Sequence, residues 1–191
     1  MSSLAFRLNR LRNTPAARLW PVLKPRHFDQ VLFRIDRPAE AQPDMGYVVH
    51  RFDAKHTSGV PAIDRRLVRD RICYAVFEDG VVLHEVWVRF DALLPAHFGF
   101  DFGTPILGDG FTVPHARGRG LQKTTLAHVI NDLLASGYKQ VYTMVSPHNE
   151  PSLRGVRRVG FVPLARLHGW TIAGITRGRA ERMAGRGQDE N

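Results

Sequence analysis

The alternation of apolar and polar residues predicts several short strands across the chain. Four apolar segments of seven to nine residues, rich in β-branched and aromatic side chains, have the composition and length of strands. They are residues 28–36, 46–53 (a strand or an extended stretch), 105–113 and 140–146. Two further apolar segments, 72–77 and 81–90, flank Asp79-Gly80, a dipeptide typical of a two-residue hairpin turn.

The second half of the chain also shows helical periodicity. Apolar residues keep to one broad face over Leu121–Ser136, and the glycine that follows predicts the end of this helix. A second helix is predicted over Pro151–Val159, with Gly160 after it. A short charged helix is expected within 62–71 and a loop over 92–104.

We expect two closing strands, residues 161–167 and 170–176, joined by a turn at His168-Gly169. The order of elements combines antiparallel hairpins with one parallel strand–helix–strand step. It predicts an α/β (α+β) fold: a single mixed, mostly antiparallel sheet of six to seven strands flanked by helices. The domain would cover residues 28–176, after a basic N-terminal arm (1–27) and before a disordered basic tail (177–191).

Composition narrows the class of protein. A chain of 191 residues is sufficient for one substantial domain, and no apolar run reaches the roughly 18–20 residues of a membrane span. The single cysteine, Cys73, lies in an apolar strand segment, so we expect a buried thiol in a reducing, cytoplasmic setting. The formal net charge is +9 and the basic excess lies at the two ends, which suits an anionic ligand or partner. Nucleic acid, anionic lipid, acyl carrier protein and coenzyme A are all compatible with it.

Candidate chemistry begins where a predicted strand enters a glycine-bearing loop that opens the long helix, at Gly118 and Gly120. The first amides of a helix lack internal partners, and the helix dipole adds positive potential there, so phosphates bind such places well. Glycine allows close backbone approach, and Arg117, Arg119 and Lys123 add charge. A plain strand–loop–helix turn with solvated arginines is the alternative. The loop has neither the Walker ending nor the third glycine of a dinucleotide fingerprint.

This segment resembles the coenzyme A loop of the GNAT superfamily of N-acetyltransferases, which reads Arg/Gln-x-x-Gly-x-Gly/Ala. The matching residues are Arg117 to Gln122, and the last of them departs from the pattern. A second segment resembles the next family element, with Asn149, then Ser152, then a helix that ends in Gly160-Phe161. Asn149 could cap this helix alone, or also bond the pantetheine arm.

The resemblance implies an enzyme that uses acetyl-CoA or another acyl-CoA as co-substrate and an unidentified amine as acceptor. It also implies that the strand before the loop offers backbone groups to the pantetheine. The implied binding residues are Phe111, Thr112, Val113, Arg117, Gly118, Arg119, Gly120, Leu121, Gln122, Lys123, Asn149 and Ser152. Family members often carry a tyrosine that protonates the leaving thiolate, and the aligned residue here is Val156.

Direct attack of an amine on a thioester needs a base, for which the candidates are Asp109, Glu85 and His84. Because side chains alternate along a strand, His84 and Glu85 point to opposite faces, so at most one faces the site. No metal site is expected, because the histidines show no ligand spacing. Five phenylalanines are candidates for an apolar acceptor or acyl pocket. They are Phe90, Phe98, Phe100, Phe102 and Phe111.

Two other interpretations stay open at this point. Val156 and Gln122 are compatible with a GNAT-like fold that binds acyl-CoA without turnover. The basic ends are compatible with a nucleic-acid-associated protein, although they are not interleaved with aromatic residues in a stacking motif. The sequence identifies neither the acceptor nor the acyl length, and it leaves a homodimer open.

Overall fold

The computed structural model describes residues 24–40, 46–91 and 93–183, in which eight strands form a single sheet. The strands are β1 (Arg26–Ile35), β2 (Val49–Phe52), β3 (Arg71–Glu78), β4 (Val81–Arg89), β5 (Ile106–Thr112), β6 (Val141–Val145), β7 (Val162–Ile172) and β8 (Ile175–Arg182). The α-helices are α1 (Pro61–Asp64), α2 (Leu93–His97), α3 (Leu121–Ala135) and α4 (Glu150–Arg158). A 3₁₀ turn, Pro114–Ala116, precedes α3. Most of the predicted N-terminal arm lies outside the described residues.

The strand order is β2-β3-β4-β5-β6-β1-β7-β8, and only the β5–β6 pair is parallel. The prediction of a mixed, mostly antiparallel sheet with flanking helices is confirmed, while the predicted six to seven strands become eight. The first strand, β1, lies between β6 and β7 and pairs antiparallel with both.

The predicted hairpin is confirmed as β3 and β4. Asp79 and Gly80 both have positive φ, 50° and 77°, as a type I′ turn requires. Cys73 of β3 is fully buried, as expected, and burial raises the pKa of its thiol to about 12.

The predicted turn at His168-Gly169 is wrong. Strand β7 continues through both residues, and the turn lies at Ala173-Gly174, whose φ values are 49° and 80°. Gly169 instead faces Gly178 on β8, where a Cβ on Gly169 would lie 2.1 Å from the Arg177 carbonyl oxygen. Glycine at this position allows the two backbones to approach closely. The sequence alone does not distinguish such a glycine from one in a turn.

The prediction of disorder from residue 177 onward is also wrong for residues 177–182, which belong to strand β8. Residues 175–182 pair with β7 in a continuous antiparallel register, so the domain extends beyond the predicted boundary at 176. The segment looks polar because β8 is an edge strand whose side chains are mostly exposed, and its stability comes from the ladder of backbone hydrogen bonds. There are two smaller differences. Helix α1 has only four residues, Pro61–Asp64, and ends well before residue 71. Helix α2 interrupts the loop predicted over 92–104.

The main core lies between the sheet and helices α3 and α4. The apolar face of α3 contributes Leu126, Val129, Ile130 and Leu133, and α4 contributes Leu153. Burying each such side chain stabilises the fold by roughly 1.5–3 kcal/mol relative to exposure. The two helices are therefore fixed on one face of the sheet, with their first turns at the edge of that core. Among the described helices, none has the length and apolarity that a membrane crossing requires.

Strand β5 is bent and then leaves its parallel neighbour. Asp109 and Gly110 together oppose one residue of β4, and Asp109 has a φ of 51°, the geometry of a β-bulge. Pairing with β6 is limited to Ile106 and Leu107, beyond which the two strands diverge. A gap therefore opens in the sheet just before the loop that leads into α3.

Candidate ligand-binding site

The first turn of α3 is open at its end. Gly120 is the N-cap residue, with φ 77°, and no side chain caps the helix. The first hydrogen bond within the helix is donated by the Thr124 amide to the Gly120 carbonyl oxygen, at 3.1 Å. The amides of residues 121–123 therefore have no partner within the helix, and they carry the partial positive charge of its N-terminus.

A cavity of about 660 Å³ lies in front of this helix end. Ten of the twelve predicted binding residues line it, so the loop and the start of α4, 30 residues apart in sequence, form one site. They are Phe111, Thr112, Arg117, Gly118, Gly120, Leu121, Gln122, Lys123, Asn149 and Ser152. The two segments that carry the family resemblance therefore meet in space.

The other two predicted residues do not line the cavity. The Val113 amide donates to the Leu83 carbonyl oxygen at 3.0 Å, so it is already used by the sheet. Arg119 donates to Glu78 Oε2 at 3.2 Å and to the Tyr47 hydroxyl at 2.9 Å, and these partners raise the pKa of its guanidinium. Arg119 thus links the loop to the β3–β4 hairpin through Glu78, and its side chain does not line the cavity.

The charged residues that line the cavity are all cationic. Arg117 and Lys123 come from the loop and α3, and Arg154 and Arg158 come from α4. No Asp or Glu of the described chain lines this cavity. The two α4 arginines were missed by the sequence reasoning. Their spacing of four residues, which places both on one helix face, is the pattern that could have identified them.

Asn149 caps α4, because its Oδ1 accepts a hydrogen bond from the Ser152 amide at 3.3 Å. The capping alternative is therefore realised in the structure. Asn149 also lines the cavity, and its side-chain amide nitrogen provides donors that the cap does not use.

His84 lies beneath the cavity and is almost fully buried, with 1% of its surface exposed. Its Nδ1 lies 2.8 Å from the Thr112 hydroxyl oxygen on the neighbouring strand. Its Nε2 is buried and has no hydrogen-bond partner among the described residues. Burial lowers the pKa of this imidazole to about 4, so it is neutral at physiological pH and a weak base.

The two carboxylates among the candidate bases lie on the opposite face of β4 and β5, as strand alternation predicts for Glu85. Arg66 joins them: its guanidinium lies 2.8 Å from Asp109 Oδ2 and 3.4 Å from Glu85 Oε1. The same guanidinium stacks on Trp87, 4.2 Å from the ring centroid. Neither carboxylate lines the cavity, and both lie where the bulge bends β5.

The remaining sequence candidates are spread through the fold. Val156 is buried in the core beneath α4, with 3% exposed, so this position presents no polar group to the cavity. The five phenylalanines do not form one pocket. Phe98 and Phe100 pack against a second apolar cluster, which includes Leu32 and Leu167. Phe90 packs on Tyr138, and Phe102 and Phe111 are more than half exposed. Among the described residues, no group of three or more His, Cys, Asp or Glu is placed to hold a metal ion.

Comparison with protein-family models and with curated proteins finds no match. Solved structures do resemble the chain. A putative acetyltransferase of the GNAT family from Novosphingobium aromaticivorans is 20% identical with a TM-score of 0.55, over 75% of this chain and 65% of that one. A GNAT acetyltransferase from Colwellia psychrerythraea is 13% identical with a TM-score of 0.52, over 89% and 62%. A GCN5-related N-acetyltransferase from Sphaerobacter thermophilus is 16% identical with a TM-score of 0.51, over 88% and 56%.

The chain spans between 56% and 65% of the length of these three structures. At this identity the likeness concerns the fold. The chain has the GNAT fold, as the resemblance implied.

Proposed function

We propose that this chain, which has the GNAT fold, binds an acyl-CoA at the start of α3 and transfers its acyl group to an amine. One observation carries the proposal: an uncapped helix end, four cationic side chains and a gap between two strands meet at a single cavity. A ligand with an anionic diphosphate and a long extended arm would complement this cavity in charge and in shape.

The diphosphate would bind the amides of residues 121–123, with Gly118 and Gly120 allowing close approach. A Cβ at Gly118 would meet no atom within 4 Å, so the surface there is open, and its φ of 80° favours glycine. Arg117 and Lys123 would add charge-assisted hydrogen bonds. The cavity walls contain no carboxylate of the described chain that would repel the phosphates.

The pantetheine arm would run along β5 in the gap. Beyond Leu107 the edge of β5 that faces β6 has no strand partner, so alternate backbone groups of Gly108–Thr112 are free to bond an extended ligand. One carbonyl oxygen of this strand, that of Thr112, already accepts a hydrogen bond from Arg117 Nε at 3.3 Å. The unpartnered Nε2 of neutral His84 is a further hydrogen-bonding group, and we assign it to ligand binding in preference to proton abstraction.

The reaction would be a direct transfer. The nitrogen lone pair of a neutral amine attacks the thioester carbonyl carbon, and the carbon–sulfur bond breaks as the carbon–nitrogen bond forms. The nitrogen loses one proton and the leaving thiolate gains one, which gives an amide and free CoA. A backbone N–H of β5 near the bulge would stabilise the developing oxyanion.

Asp109 and Glu85 stay the candidate bases under this proposal. They lie at the bend of β5, on the face opposite α3, so an acceptor approaching through the gap from that face would meet them. The guanidinium of Arg66 contacts both side chains and holds them together on that face of the sheet.

The proposal is tested by mass spectrometry of the native protein as purified and by release of free CoA thiol with a panel of amines. We expect a mass increment of CoA or an acyl-CoA, and thiol release with at least one amine. The Glu85→Gln and Asp109→Asn variants should lower kcat while the affinity for CoA is kept. Failure of every CoA species to bind would contradict the proposal.

A second candidate function is acyl-CoA binding without turnover. The observation that favours it is Val156, which is buried in the core at the position that often carries the proton-donating tyrosine. Tight binding of an acyl-CoA with no thiol release across the amine panel would favour this second function. Thiol release that depends on the amine would exclude it.

A further inference from the structure

We infer that Arg119 is a positioning residue, which together with Glu78 and Tyr47 keeps the glycine-bearing loop in its binding conformation before a ligand binds. We call these three residues the Arg119 clamp. The inference rests on the proposed function and adds how the site is preorganised. Arg119 would act through the loop and not by contact with the phosphates, because its side chain does not line the cavity.

The loop is anchored at its two ends and exposed between them. Ala116 and Leu121 are buried in one apolar cluster, with 1% and 2% of their surface exposed. Between them, residues 117, 118 and 120 are exposed. Gly118 and Gly120 both have left-handed backbone conformations, and glycine has the widest choice of conformations. The loop therefore needs a contact in its middle to select one conformation, and Arg119 lies between the two glycines.

Arg119 makes that contact with parts of the chain far away in sequence. Its Nη1 and Nη2 donate to the two carboxylate oxygens of Glu78, which is 41 residues earlier. Its Nε donates to the Tyr47 hydroxyl at 2.9 Å, 72 residues earlier, and the guanidinium lies 5.4 Å from the Tyr47 ring centroid. Because the guanidinium is a rigid planar fork, these three hydrogen bonds fix its orientation as well as its position.

Both partners of Arg119 belong to ordered parts of the fold. Glu78 is the last residue of β3, directly before the tight turn of the β3–β4 hairpin. Tyr47 packs against the same apolar cluster that buries Ala116 and Leu121. The clamp therefore ties the middle of the loop to the structure that already holds its two ends.

The expected effect of the clamp is local. The side chains of Arg119 and Glu78 are 33% and 47% exposed, and ion pairs at such exposure contribute little to global stability. Loop order, by contrast, enters directly into affinity. If the loop has its binding conformation in only a fraction of the molecules, the apparent dissociation constant rises by the inverse of that fraction.

The variant Glu78→Gln separates positioning from simple electrostatics. It removes a negative charge from the neighbourhood of a site for an anionic ligand, and it releases the charge of Arg119. Charge alone therefore predicts tighter binding of CoA. Loss of the clamp predicts the opposite, because the loop must then be ordered at the expense of binding free energy.

The first measurement is the dissociation constant of CoA, determined by calorimetry on the full chain. We expect Glu78→Gln to weaken binding about three- to tenfold, as for a loop ordered in about 10–30% of the molecules. Tyr47→Phe removes one hydroxyl and should have a smaller effect in the same direction. The matched control is Asp29→Asn, which breaks a similar two-bond pair with Arg166 away from the loop and should leave the affinity unchanged.

The second measurement is amide hydrogen exchange without ligand. The amides of Ala116, Arg117 and Thr124 report on the loop, because they donate to the carbonyl oxygens of residues 113, 114 and 120. These three amides should exchange faster in Glu78→Gln than in wild type, while the core strands exchange at the wild-type rate. Asp29→Asn should leave all three unchanged. Faster exchange throughout the protein would indicate a general loss of stability and would contradict a clamp that acts on the loop.

The two measurements together decide the inference. Unchanged or tighter CoA binding by Glu78→Gln overturns the clamp and leaves the proposed function standing. Weaker binding with unchanged exchange of the three amides also overturns it, because Glu78 would then act by another route than ordering the loop. Failure of wild type to bind CoA would overturn the proposed function itself, and the exchange rates would still decide whether Arg119 orders the loop.

Discussion

The side-chain amide of Gln122 lies against the place where Gly155 has no side chain. A Cβ on Gly155 would come within 3.1 Å of Gln122 Oε1 and 3.3 Å of its Cδ. Gln122 is the one position of the loop that departs from the pattern Gly or Ala, and Gly155 is on the facing helix. The absence of a side chain at Gly155 therefore makes room for the extra bulk of Gln122 beside the cavity.

This relationship predicts coupling between the two positions. Gly155→Ala should leave stability unchanged or raise it, since alanine is favoured over glycine in a helix by about 1 kcal/mol. The same variant should weaken CoA binding about two- to fivefold, because the added methyl group forces the Gln122 amide off its rotamer toward the ligand, at about 0.5–1 kcal/mol. Calorimetric titration with CoA measures the change.

The control is the double-mutant cycle with Gln122→Ala. In the Gln122→Ala/Gly155→Ala protein the methyl group meets no amide, so CoA affinity should return to that of Gln122→Ala alone. Additive effects of the two substitutions would mean that the side chains do not compete for this space.

The open end of α3 predicts the effect of a charge at Gly120. Gly120→Glu should abolish detectable CoA binding, because it places bulk and negative charge against the diphosphate. Gly174→Glu, in the exposed turn between β7 and β8, is the matched control, since the two glycines have φ values of 77° and 80°. Both variants carry a similar backbone strain of about 1–2 kcal/mol, so only the first should lose binding. Unchanged affinity of Gly120→Glu would mean that the diphosphate site is misplaced.

The buried histidine predicts a loss of stability in acid. In the unfolded chain His84 protonates near pH 6.5, whereas its pKa in the folded protein is about 4. Between these values the unfolded state binds more protons, so stability is complete above about pH 6.5 and falls as the pH drops toward 4. The linkage amounts to about 3 kcal/mol by pH 4.

The comparison protein is His84→Asn, which retains a hydrogen-bonding group beside Thr112 and does not titrate. Urea unfolding at pH 7.5 and pH 4.5 should show a smaller loss of unfolding free energy for the variant than for wild type. The four cations that line the same cavity also oppose protonation of His84. Parallel pH profiles of the two proteins would show that the imidazole is protonated as easily in the folded state as in the unfolded state.

The glycine contact between β7 and β8 predicts a stability defect. In Gly178→Ala the new Cβ would lie 2.3 Å from the His168 carbonyl oxygen, so the strands must separate, which should cost about 2 kcal/mol or more. Gly108→Ala is the control, because a Cβ there meets no atom within 4 Å and its φ is not positive. Thermal unfolding should show a large shift for the first variant and little for the second.

The sequence predicted well wherever local chemistry alone determines the structure. Asp79-Gly80 predicts its hairpin because positive φ at two successive positions favours those residues, and Gly120 predicts an open helix end because glycine adopts the left-handed conformation. The prediction that the loop and Asn149 belong to one site depended on the family pattern, and the cavity contains both.

The sequence predicted poorly wherever a distant backbone determines the local structure. Gly169 resembles a turn residue until Gly178, which is nine residues later, is known to face it. Strand β8 lacks an apolar pattern because it is an edge strand with mostly exposed side chains. It is held in place by backbone hydrogen bonds, which leave no pattern in the sequence. Arg119 resembles a phosphate ligand, and only the position of Glu78 on the neighbouring hairpin shows that it is paired.

The position of β1 has a consequence for how the chain is made. This strand belongs to the first part of the described chain, yet both of its neighbours, β6 and β7, follow more than a hundred residues later. Contacts so far apart in sequence make folding slow, because a long loop must close before they form. On a ribosome, β1 would wait unpaired until most of the chain had been synthesised. During that interval its apolar side chains would be open to chaperones.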